Sequence, residues 1–212
     1  MTSYAIRNAT GADLEQILNV EASWPEAARA PKEKFVARLA KFPQGFFLVE
    51  HTNRAVATIT ACPYHYDPAN PQAMRSWDQV TNQGFLHDIG PLTGYNALYI
   101  VSGVIDTAHR GRDVFELAVL REAALAQELG YDYVVAGAVI PGYAHYCATH
   151  GALPAREYAL LRRGSHLVDP LLDMYQRIGF GVPDADHVLA DYFPDDASLN
   201  HAAVVVRHIN HS

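Results

Sequence analysis

Leu98-Tyr99-Ile100-Val101-Ser102-Gly103-Val104-Ile105, followed by Asp106-Thr107-Ala108 and His109-Arg110-Gly111-Arg112, is the stretch that decides the fold. The first eight residues are almost all apolar or β-branched and read as a buried strand. A helical pattern begins near Val114, and a second apolar strand, Val134-Val135-Ala136-Gly137-Ala138, follows. The turn between strand and helix is rich in Arg and Gly. It therefore presents backbone N–H groups of a helix N-terminus beside three basic or potentially basic side chains, which is the chemistry of an anion site. The turn is neither G-x-x-x-x-G-K-[ST] nor G-x-G-x-x-G, so it predicts neither a nucleoside-triphosphate loop nor a dinucleotide fingerprint. The pyrophosphate of coenzyme A is the best remaining candidate.

Outward from this unit, Tyr4-Ala5-Ile6-Arg7 followed by Asn8 to Glu15 predicts a first strand, then a capped helix through about Glu21. Phe46 to Glu50 and Ala55 to Ala61 predict a hairpin around Thr52-Asn53-Arg54. Leu171 to Phe180 reads as a late helix and Ala202 to Val206 as a final strand. The sequence shows no internal repeat and no linker, so one domain over 1–212 is expected. Its least regular stretch, 63–96, holds Pro68, Pro71 and Pro91, with one or two helical turns within Met74 to Val80. A loop of that length is either functional or a cover for a sheet edge.

With 212 residues, half of them hydrophobic, the chain can bury one substantial core. A formal net charge of −7 without a basic run excludes nucleic acid and anionic membranes as expected partners. Two cysteines, Cys62 and Cys147, with no leader-like or membrane-spanning apolar run, predict a reducing, cytoplasmic setting. His145-x-Cys147-x-x-His150 lacks a further ligand nearby, and no metal is expected. No G-x-S-x-G elbow supports a covalent hydrolase.

The order of these segments resembles the GNAT superfamily of acyl-CoA-dependent N-acyltransferases. Arg110-Gly111-Arg112-Asp113-Val114-Phe115 falls in register with that superfamily's R/Q-x-x-G-x-G/A phosphate turn, with Asp113 and Phe115 where small residues usually stand. Tyr175-Gln176-Arg177-Ile178-Gly179-Phe180 is similar to its Y-x-x-x-G-F ending. Trp24-Pro25-Glu26, Phe42-Pro43-Gln44-Gly45-Phe46, Ser76 to Gly84, Pro141-Gly142-Tyr143, Leu167-Val168-Asp169-Pro170 and Asp191 to Asp196 resemble a GNAT subgroup fused to carbon–nitrogen hydrolases or found in polyketide loading modules.

The resemblance implies an α/β fold in which a central, mostly antiparallel sheet with splayed middle strands is flanked by helices. It also implies acetyl-CoA or another acyl-CoA as co-substrate, held by Val104, Ile105, His109, Arg110, Gly111, Arg112, Asp113, Val114 and Phe115. Acyl transfer by direct attack needs a neutral amine, an oxyanion donor and a proton for the leaving thiolate. By resemblance, the N–H of Val104 or Ile105 is the donor and Tyr175 the general acid, a phenol of reference pKa about 10. Tyr175 also fits as a core aromatic beside Leu171, Leu172, Met174 and Ile178.

For the general base, His87 (beside Asp88) and Glu50 are candidates, each equally readable as a solvated or strand-edge group; His65, His145 and His150 are further histidines in segments expected to border the cleft. Trp24, Trp77 and Tyr143 are candidate substrate contacts, with the core as the other reading for each Trp. Loading domains that decarboxylate malonyl thioesters carry His at the Tyr175 position, a Thr on the preceding strand, and Tyr-Arg-Pro where this chain has Tyr192-Phe193-Pro194. Plain transfer to a small-molecule amine is therefore the expectation. Transfer to a carrier-protein thiol and a silent acyl-CoA-binding module are the alternatives, and a homodimer is left open.

Overall fold

The computed structural model of this protein describes residues 4–111 and 113–210, apart from the side chain of Ala27. Its contacts divide the chain into two compact units, Met1–His65 with Thr81–Val134 and Ile209–Ser212, and Tyr66–Val80 with Val135–His208.

The first unit is built on four antiparallel strands in sequence order: β1 (Tyr4–Asn8), β2 (Phe46–His51), β3 (Arg54–Tyr64) and β4 (Ala97–Ile105). Helices α1 (Leu14–Glu21) and α2 (Lys32–Lys41) precede β2, and α4 (Val114–Glu128) follows β4. Phe46 to Val49 of β2 are all apolar and buried because helices cover both faces of this part of the strand. Phe46 and Leu48 join Ile17, Val20, Phe35 and Val104 in one cluster, while Phe47, one residue out of phase, lies under the Arg121 guanidinium of α4 at 4.6 Å.

Thr52 and Asn53 close the β2–β3 hairpin with φ of 50° and 62°, the twist that a two-residue turn needs to match right-handed strands. The expected first helix opens with a tight turn at Gly11–Asp13, where Thr10 and Asp13 form a capping box, before α1 proper.

The second unit contains α3 (Trp77–Thr81, which runs into the first unit), β5 (Tyr133–Val139, most of it here), α5 (Tyr143–His150), α6 (Ala155–Tyr158), the short β6–β7 pair (Arg162–Arg163, His166–Leu167), α7 (Pro170–Arg177), β8 (Val188–Leu189) and β9 (Ala202–His208). Its strands lie in the order β5-β9-β8, and β8 and β9 are antiparallel. Stretch 63–96 is thus divided: 66–80 belongs to the second unit and 81–96 to the first. The helix expected within Met74 to Val80 appears as a single turn at Pro71–Met74 and then α3. The fold is α/β, with a mixed, mostly antiparallel sheet and flanking helices, as expected. Among the described residues, no helix is long and apolar enough to cross a membrane.

Candidate functional site

β4 departs from regular pairing halfway along. Thr60 faces Ser102 while Ala61 faces Ile100, so Val101 is an extra residue and β4 carries a β-bulge. A bulge bends the strand and re-aims the residues beyond it, here Ser102 to Ile105. Phe115 packs against Gly103 so closely that a Cβ there would lie 2.8 Å from its ring. This explains why Phe115 occupies a position where the superfamily turn carries a small residue: its ring fills the space above a glycine of β4.

Beyond β4, Asp106 accepts a hydrogen bond from the Ala108 N–H at 2.9 Å and tightens the turn Thr107–His109. Gly111 has φ +74°, which a glycine adopts without strain. The chain then enters α4, whose Asp113 makes no side-chain capping bond. The N–H groups of a helix's first turn have no intrahelical carbonyl, so this N-terminus can receive an anion. Arg110 donates to the Ser23 carbonyl at 3.3 Å and so joins the turn to the loop bearing Trp24, which is 42% exposed. Arg112 lies outside the described residues.

His109 is turned elsewhere: its Nδ1 pairs with the Tyr4 hydroxyl at 3.2 Å, and its ring lies 5.3 Å from that of His51. Of the base candidates, Glu50 is bound by Arg7, whose Nη2 donates to Glu50 at 2.7 Å and to Asp13 at 2.7 Å. That guanidinium holds the Asp13 carboxyl well below the usual carboxylate range. His87 is exposed, and the neighbouring Asp88 pairs with Lys41 at 3.0 Å.

In the second unit, Asp169 positions α7. Buried completely, its carboxylate accepts from the N–H groups of Leu171 and Leu172 as the helix cap, from Gly142 N–H at 3.0 Å and from the Tyr158 hydroxyl at 3.3 Å. Burial raises its pKa, while these donors favour the charged form. Tyr175 on α7 is buried, edge-on to Phe180 at 5.3 Å between centroids, and desolvation pushes its phenol pKa up. Tyr143 packs on Tyr158 and His201 and donates to the Leu153 carbonyl at 2.7 Å. The Trp77 N–H donates to the Tyr192 carbonyl and its ring meets Phe193 edge-on.

Two buried charged groups gave no sequence signal, because each sits on a helix whose pattern is otherwise ordinary. Arg38 of α2 donates from Nε to the Gly84 carbonyl and from Nη1 to the Ser102 hydroxyl, both at 2.9 Å. Glu122 of α4 is fully buried, and among the described residues neither carboxyl oxygen has a hydrogen-bond partner. Burial also pushes the Cys62 thiol up to about 12, which makes it an inert core side chain. Among the described residues, no group of His, Cys, Asp and Glu is placed to hold a metal ion.

No family model and no curated protein matches the sequence. Solved structures do match over nearly the whole chain. The loading GNATL domain of CurA from Lyngbya majuscula superposes with a TM-score of 0.80 at 23% identity, covering 98% of each chain. The GphF GNAT-like decarboxylase, solved with isobutyryl-CoA, gives 0.78 at 23% identity over 97% of this chain and 100% of that one. The ribosomal-protein-S18-alanine N-acetyltransferase of Escherichia coli gives 0.58 at 8% identity over 99% and 96%. The chain therefore has the fold of the GNAT superfamily. Within it, the backbone lies nearer to the loading and decarboxylase-type domains than to that N-acetyltransferase.

Proposed function

We propose that this protein is an acyl-CoA-dependent acyltransferase, a single GNAT-type domain over 1–212 that passes an acyl group directly to an amine. The observation that carries the reading is the start of α4: a helix of 15 residues, with no side-chain cap from Asp113, entered through Arg110-Gly111 at the end of a bulged β4. A coenzyme A pyrophosphate accepts from such an N-terminus, with Arg110 as counter-charge. The amine attacks the thioester carbonyl, the N–H of Val104 or Ile105 stabilises the oxyanion, and collapse of the tetrahedral intermediate expels the CoA thiolate. Tyr175 gives that thiolate its proton. A phenol is protonated at neutral pH, as a donor must be, and desolvation raises its pKa further, which excludes a base. Glu50 is tied to Arg7, which leaves exposed His87 as the base candidate we favour.

The likeness to a loading domain favours a second reading, with a carrier-protein thiol as acceptor. Decarboxylation is disfavoured by Tyr175, by the absence of Thr in Val134 to Ala138, and by Phe193 between Tyr192 and Pro194. The test is release of CoA thiol from acetyl-CoA with amines in one arm and a phosphopantetheinylated carrier protein in the other. Tyr175→Phe is expected to lower the transfer rate about 10²-fold while acyl-CoA affinity stays within about twofold. Equal losses in both would make Tyr175 a packing residue alone.

A further inference from the structure

α2 presents three cations at helical spacing, Lys34, Arg38 and Lys41, to one short segment of chain. Lys34 lies 5.7 Å from the centroid of the Phe85 ring, Arg38 donates to the Gly84 carbonyl, and Lys41 donates to the Leu86 carbonyl at 2.9 Å and pairs with Asp88. The segment is conformationally costly. Asn82, Gln83, Gly84 and Leu86 all have positive φ, and Leu86 does so at 61° with its side chain buried. Such backbone persists only where its surroundings hold it, and it collects at sites that bind or switch.

Beneath this strap lies a charge whose contact partners are uncharged, among them the Phe35 ring, with its centroid 5.2 Å away. Arg38 is 1% exposed, yet the oxygens it touches, of Gly84 and Ser102, are uncharged. Among the described residues, no carboxylate lies within ion-pair distance and none accepts from its Nη2. Glu21 acts on it only from further away, while accepting from the Ala30 N–H at 2.7 Å. A buried guanidinium without an adjacent anion is costly, and its planar fork matches a carboxylate. Its floor, Ser102, is the first residue of β4 beyond the bulge, two residues before Val104, where the oxyanion donor is proposed.

We propose that Arg38, Lys41 and the Ser102 hydroxyl form a carboxylate-binding subsite, and that strap 82–88 is its lid, with the Gly84 and Leu86 carbonyls standing in for the ligand's oxygens. The carboxylate belongs to the acceptor, so the preferred amines are amino acids or other amino-carboxylates. Only this last assignment rests on the acyl-transfer reading. Opening the lid also moves His87, which ties acceptor binding to the placement of the candidate base.

The experiment is hydrogen–deuterium exchange on the full chain with β-alanine and with β-alaninamide at equal ionic strength, beside titrations with acetyl-CoA and malonyl-CoA. β-Alanine is expected to change exchange of amides 82–88 at least threefold and the amide compound to leave them unchanged. The response is expected to vanish in Arg38→Gln. Lys41→Met and Ser102→Ala, which disturb less of the core, are expected to weaken it at least threefold. No difference between the two compounds, or a response that survives in all three variants, overturns the subsite. An Arg38-dependent preference for malonyl-CoA of tenfold or more overturns the assignment to the acceptor and moves the carboxylate to the acyl donor. A β-alanine response without any acyl-CoA binding supports the subsite while refuting the proposed transfer.

Discussion

Glu122→Leu is expected to make the protein more stable by about 2–4 kcal/mol at pH 8, with the gain shrinking as the pH is lowered towards 5. Glu122 sits on α4 with no exposure and, among the described residues, no hydrogen-bond partner for either oxygen. Desolvation raises its pKa well above the ordinary carboxyl value, with a smaller opposing effect from Arg121. The folded state therefore keeps a proton that the unfolded chain releases above about pH 4.3. Stability is fully present below the unfolded pKa and falls as the pH rises towards the folded one, by up to about 1.4 kcal/mol per pH unit. Leucine removes the titration and the desolvation cost at similar volume. Urea unfolding of both proteins at pH 5, 6.5 and 8 checks this; a stability difference that does not depend on pH would mean that Glu122 is ionised or paired in the folded state.

Gly137→Ala is expected to destabilise by about 3 kcal/mol or more, at the upper end of what overpacking costs. A Cβ on this β5 residue would clash with the hydroxyl-bearing edge of the Tyr192 ring. That ring has nowhere to retreat: Tyr192 is 2% exposed, its N–H donates to the Asn200 carbonyl at 2.9 Å, and its own carbonyl accepts from Trp77. The pair Gly137 and Tyr192 is thus one packing unit, and Tyr192→Ala in the Gly137→Ala background should cost much less than it does alone. Additive losses in thermal or chemical unfolding would show that the ring accommodates the methyl group elsewhere.

The parts of the fold that the sequence announced are those where one local rule dominates. The run Leu98 to Ile105 could only be a buried strand, and Thr52-Asn53 could close a tight hairpin. The segment Asn8 to Glu15 marked a helix start. The divided stretch 63–96 was harder, because its structure comes from backbone geometry at Asn82, Gln83 and Leu86 that none of those residue types demands. The site was legible by type more than by partner. Arg110 and Gly111 lie where the turn was expected, but His109 spends its Nδ1 on Tyr4 and Glu50 its oxygen on Arg7. Both partners come from β1, about a hundred and about forty residues away in sequence, a distance that periodicity cannot span. Arg38 and Glu122 escaped for the same reason. One charged residue among several on a helix looks like a solvated position until the loop or strand that buries it is known.

The central claim, that the turn leading into α4 receives the pyrophosphate of an acyl-CoA, is tested most directly by calorimetric titration of the protein with acetyl-CoA, free CoA and a longer acyl-CoA, repeated on Arg110→Ala. A dissociation constant on the order of micromolar is expected for acyl-CoA, with similar binding of free CoA and about tenfold weaker binding of both by Arg110→Ala, as loss of one charge-assisted phosphate contact implies. Absence of heat with every CoA species, or equal affinity in wild type and Arg110→Ala, would contradict it.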